Sequence, residues 1–273
     1  MATHNQVNLV GYVISPPTVI PEKDMIILKL RTVRRDLELF DEAKYSEILI
    51  IYRNDEKKLF DLLTSCKLYD VIYVKGVLTI SSIIKIKTCP NCGKKQVKYN
   101  ALSTSVYPIF VEKRDSYAQY VQDKQMLPNK PLYDNYKEIS NQILLIGTVV
   151  TEPELIQAKN GEKICRYCIG VDRKYYIKSQ PETMSDYPWI YSYGTQAEND
   201  YDHLSKGSVI LVDGFYHLRQ ITGHMLCEDC QTDFTFEDTG HQITPYAVEY
   251  LSDYRTDEDI LRNIDEKYRS LFE

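Results

Sequence analysis

The chain has 273 residues, 43% of them hydrophobic and 26% charged, with a net charge of −6. That is the balance of a soluble globular protein with room for two domains. No run approaches the ~20 uninterrupted apolar residues of a membrane-spanning helix. The opening MATHNQVNLV has no basic stretch leading into an apolar one, as a secretion signal would, and the chain is not uniformly basic, as the simplest nucleic-acid binders are. Twenty-three tyrosines stand against 7 phenylalanines and 1 tryptophan, and the 7 cysteines fall mostly in close pairs. An odd cysteine count without a secretion signal points to reduced, cytoplasmic thiols rather than a disulfide scaffold.

In chain order, short runs rich in Val, Ile, Tyr and Leu, bounded by Gly, Pro and Asn, read as strands near 6–14, 25–33, 46–53, 70–80 and 107–112. A helical stretch at about 55–65 falls between the third and the fourth. Residues 114–140 are polar, contain Pro128 and Pro131, and leave room for one short helix before the prolines. Strands follow near 142–151, 162–173, 187–194, 208–218 and 244–250, with a helix at about 195–205 in the same place. The tail, 251–273, reads as a short helix. Thr256 is its expected N-cap, and Asp257, Glu258 and Asp259 fill the first turn, where carboxylates suit the helix dipole. Ile260, Ile264, Tyr268 and Leu271 then share one face. This acidic helix packs on its own domain or docks a partner protein.

The two sets of strands are copies. NQVNLVGYV at 5–13 returns as NQILLIGTV at 141–149, an offset of 136. Gly76 in YDVIYVKGV matches Gly214 in GSVILVDGF at an offset of 138, and CPNC at 89–92 matches CEDC at 227–230 at the same offset. Pro108 and Pro245 close the series at 137. Two copies of this length are tandem domains, not a solenoid. Five strands with a helix after the third is the order of an OB-fold, a Greek-key barrel that binds oligonucleotides or oligosaccharides. The expected fold is therefore all-β: a first OB-fold at 1–113, a linker at 114–140, a second OB-fold at 141–250, and the C-terminal helix.

QILLIGTVVTEPEL at 142–155 and, most specifically, WIYSYGTQAENDYDHLSKGSVILVDGFYHLR at 189–219 are the stretches by which the second copy resembles the bacterial single-stranded DNA-binding protein family. Trp189 opens the third strand, Tyr193-Gly194 closes it and Ala197-Glu198 opens the helix. Leu204, Lys206-Gly207 and Val209 to Gly214 then hold the family's register. The first copy carries the pattern only in its first and fourth strands; it reads Tyr52-Arg53 at the Tyr-Gly position, with no Trp before it. The family's two-domain members pair into dimers, so the resemblance implies single-stranded DNA as ligand and a homodimer as assembly. The family's low-complexity tail and Pro-Phe tip are missing here. If replication or recombination proteins are recruited, the C-terminal helix is the segment left to do it.

The residues themselves suit a single strand, which needs flat faces for bases and cations for phosphates. Trp189, Tyr191 and Tyr193 stand at i, i+2 and i+4, so in a strand they share one face. That face is either core or surface. The surface reading, with Ile190 inside, is favoured because Tyr and Trp suit a half-wet surface. Tyr175 and Tyr176 lie in the preceding loop with Arg173 and Lys174. The basic charge lies mainly in the other copy: residues 1–113 carry 17 Lys and Arg against 12 Asp and Glu, whereas 114–249 is net −8. Arg34, Arg35 and Arg53 near the second and third strands, with Lys85, Lys87, Lys94 and Lys95 around the cysteine loop, are the candidate phosphate contacts; a solvated charged face is the plainer reading for any one of them.

A structural zinc needs four ligands, usually thiolates and imidazoles. Cys89, Cys92, Cys227 and Cys230 supply four if both loops share one ion, which would clamp the barrels together. The second copy alone has His217, His224 and His241 near its pair, and a site divided between two chains fits the sequence equally. Cys165-x-x-Cys168 lies inside a strand, where an odd separation points the thiols to opposite faces; these two and Cys66 read as structural. No phosphate-binding Gly-rich loop, nucleophile elbow or cluster of Asp, Glu and His suggests an enzyme. The expected function is single-stranded DNA binding without strong sequence preference, in replication, recombination or transfer. The alternatives are an OB-fold scaffold with weak nucleic-acid binding, or a single-stranded RNA binder.

Overall fold

Val7 and Leu9 alternate with Gln6 and Asn8, so the first strand has one core face and one wetter face. This is β1 (His4–Val13), and it buries Val7 and Leu9 completely. The computed structural model describes residues 3–35, 45–119, 128–158 and 160–262, with backbone alone at 98–101. In the first repeat β1 is followed by β2 (Thr18–Ile20), β3 (Met25–Thr32), β4 (Ser46–Arg53), α1 (Lys57–Thr64), β5 (Asp70–Thr88) and β6 (Lys95–Ser116). The chain then passes through α2 (Asn129–Tyr136). The second repeat comprises β7 (Asn141–Val149), β8 (Glu154–Gln157), β9 (Lys163–Asp172), β10 (Ser185–Asp186), β11 (Trp189–Tyr193), α3 (Gly194–His203), β12 (Val209–Leu226) and β13 (Asp233–Ser252).

Each repeat closes on itself. In the first, β1 pairs with β3 and β5, β3 with β4, and β5 with β6, all antiparallel. One parallel contact, Ile50 opposite Val106, joins β4 to β6 and completes the ring. The second repeat repeats the circuit through β7, β9, β11, β13 and β12, with Ile190 opposite Ile243 as its parallel closure. These are two OB-fold barrels. A helix sits between the third and fourth strands of each; α1 buries Leu59 and Leu63, and α3 buries Ala197 and Asp200.

The barrels are joined back to back. β1 pairs antiparallel with β7, and Val7 lies opposite Ile143, its own counterpart in the repeat. A pseudo-two-fold axis therefore passes through that pair, and one apolar core runs through both barrels. The repeated Asn of the NQV and NQI motifs does the same work twice. Asn5 donates from Nδ2 to the Leu78 carbonyl and accepts from the Leu78 N–H at 2.9 and 2.8 Å. Asn141 does so with Tyr216 at 2.9 and 3.0 Å. Replacing either by Ala strands a buried N–H and C=O. Asn5→Ala and Asn141→Ala should each cost about 1–2 kcal/mol, read as urea midpoints at unchanged slope. The repeated Gly76 and Gly214 stand at bulges where a Cβ would come within 2.4 Å of the Tyr107 and Thr244 carbonyl oxygens. Only glycine lets the strands approach so closely there.

The fourth and fifth strands of each repeat are far longer than expected. β5–β6 and β12–β13 leave their barrels as twin two-stranded ribbons with the cysteine pairs at their tips. The segments read as loops are largely strand, because Ile84-Lys85-Ile86-Lys87 alternates with a period of two. Its lysines face the other ribbon, while Ile84 and Ile86 are exposed. In the connection, residues 118–119 are helical, and the rest of the helix expected before the prolines lies outside the described residues. A further helix, α2, follows Pro128 and accommodates Pro131 in its first turn, where no intrahelical N–H is lost. At the C-terminus residues 257–262 are helical. Thr256 caps them, its hydroxyl accepting from the Asp259 N–H at 3.3 Å while the Asp259 carboxylate accepts from the Thr256 N–H at 3.0 Å. Ile264, Tyr268 and Leu271 lie outside the described residues.

Candidate nucleic-acid interface and metal centre

Strand β11 decides the orientation of the aromatic row. Ile190 and Ser192 are fully buried, while Trp189, Tyr191 and Tyr193 are half-exposed on the opposite face. The Arg166 guanidinium lies 5.5 Å from the centre of the Trp189 ring, and Tyr193 accepts from the Gln242 amide at 3.0 Å. Tyr175, Tyr176 and Tyr187 are 40%, 66% and 52% exposed, and Lys174, next to Tyr175 in the chain, is also exposed. Tyr175 also leans toward Tyr107 of the first barrel, ring centres 6.3 Å apart. The equivalent strand of the first barrel, β4, turns Glu47, Leu49, Ile51 and Arg53 outward; it has no aromatic face.

Beside Trp189 opens a cleft of about 280 Å³. Tyr187 and Trp189 form one wall, Ile80, Lys85, Leu102 and Thr104 of the first ribbon another, and Ile221 with Asp238 to His241 of the second ribbon a third. Tyr187 belongs to the tyrosine-rich stretch of the second copy and holds the same alternating position as Trp189, two residues earlier. At the base of the cleft the Tyr216 hydroxyl donates to the Thr104 carbonyl at 3.0 Å and meets His241 Nδ1. Burial, reinforced by nearby Lys85, lowers the His241 pKa and keeps the ring neutral.

Several expected phosphate contacts are placed otherwise. Arg173 is buried, its guanidinium held by Asp186 and Gln180. This corrects the sequence reading, which could not see that Asp186 lies beneath it. Lys85 pairs with Asp238 at 2.7 Å and Lys94 with Asp229 at 2.7 Å, while Lys87 donates to the Glu237 carbonyl at 2.9 Å. These three join the ribbons to each other. Arg35 pairs with Asp213 at 2.8 Å and covers the Tyr246 ring, and Arg34 lies over Phe215; both stand at the junction of the two repeats. Arg53 and Lys95 are exposed.

The ribbon lock has a pH dependence with a defined sign. Burial works against the Asp238 carboxylate, but the Lys85 ammonium and the Thr239 backbone N–H outweigh it and hold its pKa below the ordinary value. A lowered native pKa stabilises above the unfolded value, about 3.9 for Asp, and the gain is lost as pH falls through the native value. Ribbon amides should therefore exchange hydrogen faster in Asp238→Asn than in the wild type at pH 5–7. That difference should close below about pH 4.

At the ribbon tips the four cysteines meet. Cys89 Sγ is 3.7 Å from Cys230 Sγ and Cys92 Sγ is 3.6 Å from Cys227 Sγ, and all four Sγ atoms lie within 4.8 Å of one another. Disulfide sulfurs would be about 2 Å apart. A tetrahedron with ~2.3 Å metal–sulfur bonds has sulfurs about 3.8 Å apart, so the thiols are arranged as a metal would need them. Each pair sits in the same tight turn: the Cys89 N–H donates to the Lys94 carbonyl and the Gly93 N–H back to Cys89, as Cys227 does with Thr232 and Gln231. Hydrogen bonding to Thr232 lowers the Cys230 thiol, whereas Cys92 in the same cluster is raised, so the four thiols titrate together rather than singly. Of the arrangements the sequence allowed, the one with all four cysteines from one chain is formed. Cys165, Cys168 and Cys66 are buried, and burial raises their thiols to about 12, 11 and 11.

Comparison with known proteins follows the second repeat. The model of the single-strand binding protein family matches residues 140–233. "Single-stranded DNA-binding protein 2" of Staphylococcus aureus (strain COL) is 34% identical over 74 residues, 27% of this chain and 52% of its own length. "Single-stranded DNA-binding protein 2" of Clostridium acetobutylicum is 35% identical over 75 residues, 27% of this chain and 55% of its own. The chain thus spans about half the length of the curated relatives it matches. The crystal structure of wild-type single-stranded DNA binding protein from Thermus aquaticus superposes with a TM-score of 0.56, covering 93% of this chain and 95% of that one at 14% identity. It shares the two-barrel fold. Residues 140–233, which carry the second repeat from β7 through β12, match the single-strand binding protein family.

Proposed function

We propose that this protein binds single-stranded DNA without strong sequence preference, through the second barrel, with a zinc ion on the four ribbon cysteines. The observation that carries the reading is the outward aromatic row of β11, Trp189, Tyr191 and Tyr193, beside a cleft that Tyr187 helps to wall. Bases stack on such faces whatever their identity. Among the candidate cations, Arg53, Lys95 and Lys174 are exposed and can meet phosphates, whereas Arg166, Arg173, Lys85, Lys87 and Lys94 have acidic or carbonyl partners. The zinc holds no reacting group; bound, it supplies four metal–sulfur bonds at tips where the nearest ion pair between the ribbons, Lys94–Asp229, is exposed and worth little. A part in replication, recombination or transfer, a homodimer and a cytoplasmic setting are consistent with this reading, and among the described residues no helix is long and apolar enough to cross a membrane.

The test is a fluorescence-anisotropy titration of a labelled dT oligomer at two salt concentrations, with Trp189 emission followed in parallel. Binding that weakens with salt and quenches Trp189 supports the reading. Binding without quenching moves the site to the first repeat, and no binding at low salt overturns it. Competition with an rU oligomer separates DNA from RNA.

A further inference from the structure

The cleft beside Trp189 is not made by the second barrel alone. Ile80, Lys85 and Leu102 come from one ribbon, Ile221 and Asp238 from the other. Its width therefore depends on how far apart the ribbons stand. Beyond the barrels each ribbon is only two-stranded, and a two-stranded hairpin is marginal by itself. At the barrel end the ribbons are well fixed: Asn5 and Asn141 grip them, and buried Asp186 accepts from the Ile80 N–H at 2.8 Å. Farther out, the contacts joining one ribbon to the other include Lys85–Asp238, Lys94–Asp229, the Asn91 amide on the Thr232 hydroxyl, and the four thiols at the tips. The thiols are the group that a metal would convert from adjacent side chains into a covalent cross-strut.

We infer that metal at Cys89, Cys92, Cys227 and Cys230 and single-stranded DNA in the Trp189 cleft are thermodynamically coupled. The metal sets the spacing of the two ribbon walls, and a strand lying between those walls raises the affinity for the metal by the same factor, because coupling between two binding sites is reciprocal. The inference rests on the DNA-binding reading of the cleft. It adds that the cleft holds the strand more tightly when the ribbon tips are tied.

The experiment uses the full chain under reducing conditions, loaded with zinc or stripped by a chelator, and the Cys92→Ser variant, whose thiol lies at the exposed tip. Trp189 is the only tryptophan, so acrylamide quenching reports the cleft without any DNA. Stripping should make Trp189 more accessible to acrylamide, leave far-UV circular dichroism unchanged, and weaken dT-oligomer binding about tenfold or more. Saturating dT oligomer should slow zinc release to a competing chelator. Cys92→Ser should behave as the stripped protein; if it does not fold, the chelator arm carries the test. Failure of zinc to bind, or equal dT affinity with and without it, overturns the inference. If the loaded protein binds no dT oligomer, the DNA reading fails, and unchanged acrylamide quenching would then sink the link between metal and cleft separately.

Discussion

Arg173→Ala should be among the most destabilising single substitutions in the second barrel, at about 3–5 kcal/mol, because it leaves a buried carboxylate unpaired. The Arg173 and Asp186 side chains are 2% and 1% exposed. Arg173 Nη2 lies 2.7 Å from Asp186 Oδ1, its Nε meets Oδ2, and Nη1 donates to Gln180 at 2.7 Å. The same carboxylate anchors the first ribbon through Ile80. Without the guanidinium, only that backbone N–H would remain to Asp186. Thermal unfolding should fall by about 6–20 °C. An Arg173→Met/Asp186→Leu double variant should recover part of the loss, since an apolar pair of similar volume removes both charges together while leaving the Ile80 N–H without its acceptor. A loss below about 1 kcal/mol in the single variant would show that the pair is open to water. The variant also tests the sequence reading of Arg173 as a phosphate contact. If folded Arg173→Ala changed the slope of log affinity against log salt by about 0.7, the value for one phosphate on a single strand, that reading would return.

The barrels were legible because their signals are local. Val7-x-Leu9 and Ile48-x-Ile50 alternate, Gly76 and Gly214 mark bulges, and the repeat makes each ambiguous segment vouch for its copy. Strand limits in β3 and β4 agree within a residue with those expected. The first ribbon reads as a loop because Ser81-Ser82 and Pro90-Asn91-x-Gly93 are turn signals. The period-two alternation of Ile and Lys through residues 84–87 is the strand signal present, and Lys85 and Lys87 face Asp238 rather than water. The lysines expected on phosphates show the same limit, since Lys85, Lys87 and Lys94 each face a group of the other repeat. Counting charges along a chain shows where cations are, and only the tertiary structure shows which carboxylates lie opposite. Asp229 and Asp238 belong to the other repeat, roughly 140 residues away, beyond the reach of any local pattern.

The cysteine cluster was half legible. Equivalent positions in a repeat predict that the pairs are related by symmetry, not that they touch. They touch because the pseudo-two-fold through Val7 and Ile143 brings the ribbons side by side, so Cys89 faces Cys230 and Cys92 faces Cys227. That symmetry is not kept everywhere. β11 carries Trp189, Tyr191 and Tyr193 outward, and β4 carries Leu49, Ile51 and Arg53 at the matching strand. The two barrels share a frame and differ in the face that meets a ligand.

This asymmetry makes the double variant Trp189→Ala/Tyr191→Ala the most informative binding experiment. Each base stacked on an aromatic ring contributes about 1–3 kcal/mol, so losing two rings should weaken dT-oligomer binding about 30-fold or more. Both side chains are half-exposed and opposite the core face, so the melting temperature should change little. The salt slope should also stay the same, because no cation is removed. Lys174→Ala should do the reverse: a small loss at low salt, with the slope reduced by about 0.7 if Lys174 meets one phosphate. In the first barrel Leu49→Ala/Ile51→Ala should leave affinity within about threefold, because those side chains offer no flat face to a base. If instead the β4 pair weakens binding as much as the β11 pair, both barrels carry the strand and the ligand path crosses the pseudo-two-fold. If neither pair matters while salt dependence persists, the strand is held by phosphates alone, and the aromatic row has another partner.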